Sequence, residues 1–359
     1  MIKHHLPARH HHFPADYYLI PGLIDLHVHG ANGKDVMDGT EEAMQAISVA
    51  LAQEGVTGFL ATTMTADVER IEAALQVIPK VIEKPEGAAI LGVHLEGPFI
   101  SKEKMGAQHG DHVRSPDVSL FQKWQSLSGD SIKLVTLAPE LPHADEFIKA
   151  LRGMNVIASI GHTNATYGET VEAIAAGCTQ ATHLFNAMSG LHQRHPGAVG
   201  ALLLADDVYA EIITDGMHLH PAIVEIAWQM KGKDKLFLVT DAMRGKCLGD
   251  GDFDLGGQHV HVKHGRAALP DGTLAGSTLR MPDAIKNMMK FSHCTLIDAI
   301  HLATVNPVHV LGLSGTKGDI SVGKDADLVV CDHEFVVKET MRCGKVIFGE
   351  SNCQQTLNR

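Results

Sequence analysis

Short runs of apolar and β-branched residues recur along the chain at 23–27, 57–61, 90–94, 133–138, 156–161, 180–183, 210–214 and 236–240. Between most of them lie longer stretches in which apolar residues return every three or four positions, as over 41–54, 68–82, 144–154 and 221–231. Runs of the first kind suit strands buried on both faces, and stretches of the second kind suit helices with one apolar side. Strand–helix alternation repeated eight times predicts an α/β protein with a parallel (β/α)8 barrel of the TIM type. The rhythm breaks at 241–280, a glycine-rich segment with the alternating pattern Gln258-His-Val-His-Val-Lys263, which reads as a long loop able to carry a hairpin near the barrel mouth. Helical periodicity returns over 281–313, and the tail reads as short strands at 320–322, 326–330, 335–340 and 345–348. The expected organisation is therefore a histidine-rich segment at 1–20, a barrel at 21–313 and C-terminal strands at 314–359, with the two outer segments forming a small β domain.

The length of 359 residues suits one such barrel with an appendage. With 45% hydrophobic and 20% charged residues, the composition is that of a globular chain and not of a disordered one. The formal net charge of −12 repels nucleic acid and anionic membranes, so an anionic ligand would need a local basic pocket. No apolar run is long enough to span a bilayer and no apolar signal core opens the chain, so a cytoplasmic location with no membrane or nucleic-acid partner is expected. The six cysteines are scattered without a CxxC pair and read as reduced thiols. The unusual count is 24 histidines. Five of them (His4, His5, His10, His11 and His12) cluster at the N-terminus and read as a tail; the others need a chemical account.

Several of those others sit where the expected strands end. The first strand ends in His27-Val28-His29, the third in His94-Leu95-Glu96-Gly97-Pro98, the fifth in Gly161-His162, the sixth in Thr182-His183 and the eighth in Thr240-Asp241. In a (β/α)8 barrel the carboxyl ends of the strands converge on one mouth, where active sites are built. A lone HxH, a lone strand-end histidine or a lone acid there is ordinarily structural. Imidazoles and carboxylates delivered by five strands to one place are not explained by structural need. Four histidines and two carboxylates (His27, His29, Glu96, His162, His183 and Asp241) suit a divalent metal such as zinc or iron, and a set this large has room for two ions. Such a centre polarises a carbonyl and lowers the pKa of water to about 7, which leaves Asp241 as the candidate general base.

These residues lie within longer motifs: Pro21-Gly-Leu-Ile-Asp-Leu-His-Val-His-Gly30, Gly92-Val-His-Leu-Glu-Gly-Pro98, Leu137-Ala-Pro-Glu140, Gly161-His-Thr-Asn-Ala165, Thr182-His-Leu-Phe-Asn-Ala-Met188, Asp215-Gly-Met-His218, Val239-Thr-Asp-Ala242, Leu274-Ala-Gly-Ser277 and Gly323-Lys-Asp-Ala-Asp327. In this combination and order the chain resembles the N-acetylglucosamine-6-phosphate deacetylases of the amidohydrolase superfamily. The resemblance implies hydrolysis of the acetamide of an N-acetylated amino-sugar phosphate, with one or two zinc or iron ions per subunit, two being favoured by the HxH motif. It implies that Glu96, His162 and His183 are the core ligands, with Glu96 standing where hydantoinase-like relatives carry a bridging carboxylated lysine. His27 and His29 match the extra ligands of two-metal members, and Asp241 matches the catalytic acid/base, which also ligates in those members. Asn186, Ala187, Arg194 and His218 match the positions that hold the sugar phosphate, and Leu274, Ala275 and Gly276 match a backbone segment that lines it. The planar fork of Arg194 suits a phosphate dianion. In related dimers the equivalent arginine reaches into the neighbouring site, so a homodimer is implied.

The chain departs from the family pattern in two places. Some members carry a histidine in the position of Gln108, within Gly106-Ala107-Gln108, where it orients the acetyl carbonyl; a glutamine donates a hydrogen bond but carries no proton. Little chain precedes the HxH motif, so an exposed edge is expected on the small β domain. A cyclic-amide hydrolase or deaminase of the same superfamily would be favoured by a strand-end lysine open to carboxylation; Lys133 opens its strand and would lie at the wrong end of the barrel. A non-catalytic sugar-phosphate-binding relative would be expected to lack ligands or the acid/base, and here all are present. The residues do not separate N-acetylglucosamine from N-acetylgalactosamine 6-phosphate.

Overall fold

The computed structural model of the chain describes residues 13–349. The five clustered N-terminal histidines and Cys353 lie outside the described residues. After an opening strand β1 (Tyr18–Pro21), the eight apolar runs form one parallel sheet: β2 (Leu23–Val28), β3 (Val56–Thr63), β4 (Ala89–Glu96), β5 (Ile132–Leu137), β6 (Ile157–Ile160), β7 (Gln180–Ala181), β8 (Tyr209–Ile212) and β9 (Leu236–Leu238), hydrogen-bonded in chain order. β2 and β3 are buried along their whole length, as a barrel strand with helices outside and side chains inside must be. The last strand returns to the first through its extension: Asp241 N donates to His27 O at 2.9 Å, and His29 N donates to Ala242 O at 2.9 Å. A side-chain bond at the same seam, from Thr240 Oγ1 to Asp25 Oδ2 at 2.6 Å, helps to bring the barrel to closure.

The outer ring is α1 (Glu41–Ala52), α2 (Val68–Ile82), α3 (Val118–Leu127), α4 (Ala144–Gly153), α5 (Tyr167–Ala176), α6 (Gly197–Leu204) and α7 (Pro221–Lys235), followed by α8 (Met281–Ser292), α9 (Leu296–Ala303) and α10 (Val305–Val310). Local sequence explains where these begin. Asp67 accepts from Arg70 N at 2.8 Å and starts α2, whose Ile71, Ala74, Leu75, Ile78 and Val81 form one buried stripe. Thr166 and Glu169 form a reciprocal capping box that starts α5.

The segment after β9 is more ordered than a long loop. It contains a three-stranded antiparallel sheet, β10 (Gly251–Leu255), β11 (Gln258–Lys263) and β12 (Arg266–Ala268). The alternation in β11 has the expected cause: Val260 and Val262 are buried while His259 and His261 face solvent. This sheet leans over the barrel mouth, where Gln258 Nε2 donates to Ala107 O at 2.5 Å.

The C-terminal strands β13 (Leu328–Cys331), β14 (Val337–Arg342) and β15 (Lys345–Gly349) join β1 in a separate antiparallel sheet of order β1-β13-β14-β15. Among the described residues β1 and β15 are the outer strands of this sheet, and Tyr18 and Leu19 of β1 are exposed. The strand expected at 320–322 is instead a loop with Val322 fully exposed. Its flanks are pinned by side-chain ion pairs: Lys324 Nζ to Asp319 Oδ2 at 2.6 Å, and Lys317 Nζ to Asp325 Oδ2 at 2.8 Å and Asp327 Oδ2 at 2.6 Å. These bonds fold the segment back on itself and leave it no strand to pair with. The five described cysteines are free. No helix of the described chain is long and apolar enough to cross a membrane.

Candidate active site

Five strands deliver six ionisable side chains to the barrel mouth, all of them buried. β2 carries His27, and His29 follows it on the same face; Glu96 is the last residue of β4. His162, His183 and Asp241 lie just past the ends of β6, β7 and β9, and all three have left-handed backbone, with φ of 46°, 29° and 49°. Non-glycine residues rarely adopt that region, and such strain collects where the chain must turn a side chain into a site. The side chains form two trios: Glu96 with His162 and His183, and Asp241 with His27 and His29. Glu96 lies between them. Its Oε1 is 3.2 Å from Nε2 of both His162 and His183, and its Oε2 is 3.2 Å from His29 Nε2. Asp241 Oδ1 is 3.2 Å from His29 Nε2 and 3.4 Å from His27 Nε2.

The outer ring nitrogens decide what the inner ones can do. His162 Nδ1 lies 2.8 Å from Lys104 O, His29 Nδ1 lies 3.3 Å from Thr62 O, and His27 Nδ1 lies 2.9 Å from a Glu211 carboxylate oxygen. Carbonyls and carboxylates only accept, so each of these Nδ1 atoms is a donor and each Nε2 is left to face the mouth, able to carry a proton toward a carboxylate or to offer its lone pair to a cation. The Nε2 atoms of His162 and His183 approach to 3.1 Å, and those of His27 and His29 to 3.3 Å. Two lone pairs at that separation need a proton or a cation between them. The charge balance points the same way. Burial alone would raise the Glu96 and Asp241 carboxyls, but the surrounding imidazoles, His27 foremost, hold both well below the ordinary range. Burial alone would lower His29, but its bonds to Asp241 and Glu96 lift it to about 9. The donor set therefore fits a divalent cation, with two subsites sharing Glu96.

Beneath the cluster lies a polar floor. His94 Nε2 contacts Thr136 Oγ1 at 2.7 Å, Thr136 Oγ1 contacts Thr182 Oγ1 at 2.7 Å, and Ser159 Oγ contacts Thr182 Oγ1 at 2.6 Å. Burial and the neighbouring His27 push His94 well below its ordinary pKa, so it stays neutral. Glu211, on β8, was not singled out by the sequence because an acid in Tyr209-Ala-Glu-Ile212 resembles any strand residue with one polar face.

A cavity of about 350 Å³ opens above the trios. Its lining includes Ala107, Gln108, Asn186, Ala187, His218, Leu274 and Gly276 of the expected substrate residues, and Leu255 of the covering sheet. Ala275 is fully buried beside its lining neighbours and donates its N–H to Ala267 O at 3.1 Å. Arg194 is not among the lining residues; it sits on an exposed loop next to exposed Leu191. The cavity's single lysine or arginine among the described residues is Lys104, which the sequence offered no means of picking out. His218 Nδ1 donates to Asp215 Oδ2 at 2.7 Å. Burial opposes charge on both, but this pairing outweighs it, raising His218 and lowering Asp215. Gln108 is locked: its Oε1 accepts from Thr65 N at 2.7 Å, so its Nε2 must be the atom that donates to Glu96 Oε2, at 2.6 Å. His109 does not line the cavity. A wider surface cleft of about 910 Å³ runs past Asp67, His112 and Asp117, and none of the metal-capable trios lies in it.

Comparison with known proteins places this site in a family. The amidohydrolase family model matches residues 18–347. The N-acetylglucosamine-6-phosphate deacetylase of Bacillus subtilis (strain 168) is 43% identical over 346 residues, covering 95% of this chain and 87% of the relative. The crystal structure of N-acetylglucosamine-6-phosphate deacetylase from Thermotoga maritima superposes with a TM-score of 0.87 at 36% identity, covering 96% of this chain and 92% of the other. That of the Mycobacterium smegmatis enzyme, a mutant in complex with N-acetyl-D-glucosamine-6-phosphate, superposes with a TM-score of 0.88 at 33% identity, covering 92% and 87%. The chain belongs to the amidohydrolase family, among its N-acetylglucosamine-6-phosphate deacetylases.

Proposed function

We propose that the chain hydrolyses the acetamide of N-acetyl-D-glucosamine 6-phosphate to D-glucosamine 6-phosphate and acetate, in amino-sugar catabolism. The observation that carries this reading is the pair of trios sharing Glu96 at the floor of a cavity sized for a small ligand. His162, His183 and Glu96 would hold one divalent ion, and His27, His29 and Asp241 a second; zinc or iron suits the donors. When bound, such ions supply Lewis acidity toward an amide carbonyl and lower the pKa of water to about 7. Asp241, held ionised by His27 and His29 against the effect of burial, is the base that takes the proton of the attacking water and returns it to the leaving amine. His218, whose pairing with Asp215 favours its cationic form, and Lys104 supply positive charge for the phosphate in a chain that is acidic overall. Asn186, Ala187 and the 274–276 segment line the sugar's path. The Gln108 amide is taken up by Thr65 and Glu96, so its role toward the acetyl group is to hold Glu96 in place. Arg194 lies outside its own cavity, which supports a homodimer in which each arginine reaches the partner's site. A cytoplasmic location fits the reaction and its phosphorylated substrate.

The test is acetate release from N-acetylglucosamine 6-phosphate and its galacto epimer, with and without a chelator. Release from the gluco substrate that the chelator abolishes is the expected result. No release from metal-containing protein refutes the reading, and faster release from the galacto epimer reassigns the substrate.

A further inference from the structure

Glu211 is fully buried on β8, takes no part in lining the cavity, and has no lysine or arginine as an ion-pair partner among the described residues. A buried carboxylate is costly unless its charge is answered. Here three N–H groups answer it. Oε2 accepts from His27 Nδ1 at 2.9 Å and from His183 N at 3.0 Å, and Oε1 accepts from Gln180 Nε2 at 2.8 Å. An acceptor on Nδ1 fixes the ring tautomer, so the His27 lone pair sits on Nε2, the atom that faces Asp241 and Glu96. A carboxylate acceptor also makes that Nε2 more basic. The same oxygen holds the main chain of His183, whose ring belongs to the other trio. One side chain thus registers a ligand from each subsite.

We propose that Glu211 is a positioning residue of the metal centre, setting the tautomer and reach of His27 and so building the subsite of His27, His29 and Asp241. The inference rests on the two-subsite reading of the mouth. Glu211→Gln keeps the side-chain volume but leaves one acceptor oxygen where there were two and turns an N–H toward a donor.

The experiment strips the full chain of metal, reloads it with zinc and measures zinc per chain and affinity by chelator competition, together with the melting temperature of the metal-free protein. The wild type is expected to take two zinc ions. Glu211→Gln is expected to hold the second about 10–100-fold more weakly, to keep the first within a few-fold, and to melt as the wild type does when metal-free. A merely structural glutamate would do the reverse, lowering the melting temperature and sparing zinc affinity. Two ions held equally well by wild type and variant overturn the proposal alone; one ion in the wild type overturns the two-subsite reading beneath it. If Glu211→Gln does not fold, NMR of the zinc-loaded wild type decides. His27 must then show a slowly exchanging Nδ1–H with Nε2 as the ligand atom, and a ring bound through Nδ1 overturns the proposal.

Discussion

Two dense clusters of charge stand out, one around Gly323–Asp327 and one at the barrel mouth, and they are built on opposite plans. In the first, Lys317 and Lys324 are matched by Asp319, Asp325 and Asp327 at 2.6–2.8 Å, and the cluster reaches solvent. Each of these charges touches an opposite one within the chain, Lys317 serving two aspartates. In the second, two carboxylates and four imidazoles are buried together with no lysine or arginine among their ion-pair partners. The imidazole nitrogens crowd one another and the acids at 3.1–3.4 Å, a spacing that shared protons or a bound cation satisfies. Both clusters belong to sequence motifs of the same prominence. The difference is that one pairs lysines with aspartates and holds a loop, while the other gathers a donor set able to hold a cation.

The largest expected effect that breaks this contrast comes from Asp241→Asn. Removing the base should lower kcat by about 10²- to 10⁴-fold while the metal-free protein melts as before; an unchanged kcat removes Asp241 from the chemistry. A smaller effect is expected at His218, which lies beside the mouth but is paired like the first cluster. Its pKa is raised above the usual 6.5, so it holds its charge to higher pH than a free imidazole and loses it as pH climbs through the raised value. KM for the sugar phosphate should therefore rise as pH climbs through that value. His218→Asn should raise KM by about 10–100-fold, the worth of a charged hydrogen bond, and abolish that rise; initial rates across pH for both proteins check it. The smallest functional effect is expected in the first cluster. Lys317→Met should cost about 1–3 kcal/mol of stability and leave kcat, KM and metal content unchanged, as thermal denaturation beside a standard assay would show.

How much of this could be read from the chain depends on what each residue must satisfy. The eight barrel strands are legible because each is an apolar run bounded by a helix, and a strand buried on both faces has no other way to look. The candidate ligands are legible because each lies at or just past the end of such a run, where a polar residue marks the mouth. Glu211 is hidden because it sits inside its strand, and its partners His27 and His183 are 184 and 28 residues away in sequence. The 251–268 sheet was half visible, since alternation shows only in β11, while β10 and β12 depend on pairing with it. The loop at 320–322 looked like a strand because isoleucine and valine favour one, and the lysine–aspartate bonds that override that preference are set by three-dimensional proximity. Lys104 is an ordinary surface cation in the sequence, and only the cavity, which it lines and Arg194 does not, picks it out.

The measurement that bears most directly on the contrast is made on one metal-stripped preparation, titrated with zinc while bound zinc and acetate release from N-acetylglucosamine 6-phosphate are followed together. The account predicts no acetate release from the stripped protein, recovery that tracks zinc bound at the mouth, and the same curve for Lys317→Met. Stripped protein free of divalent ions that releases acetate at the wild-type rate would contradict it.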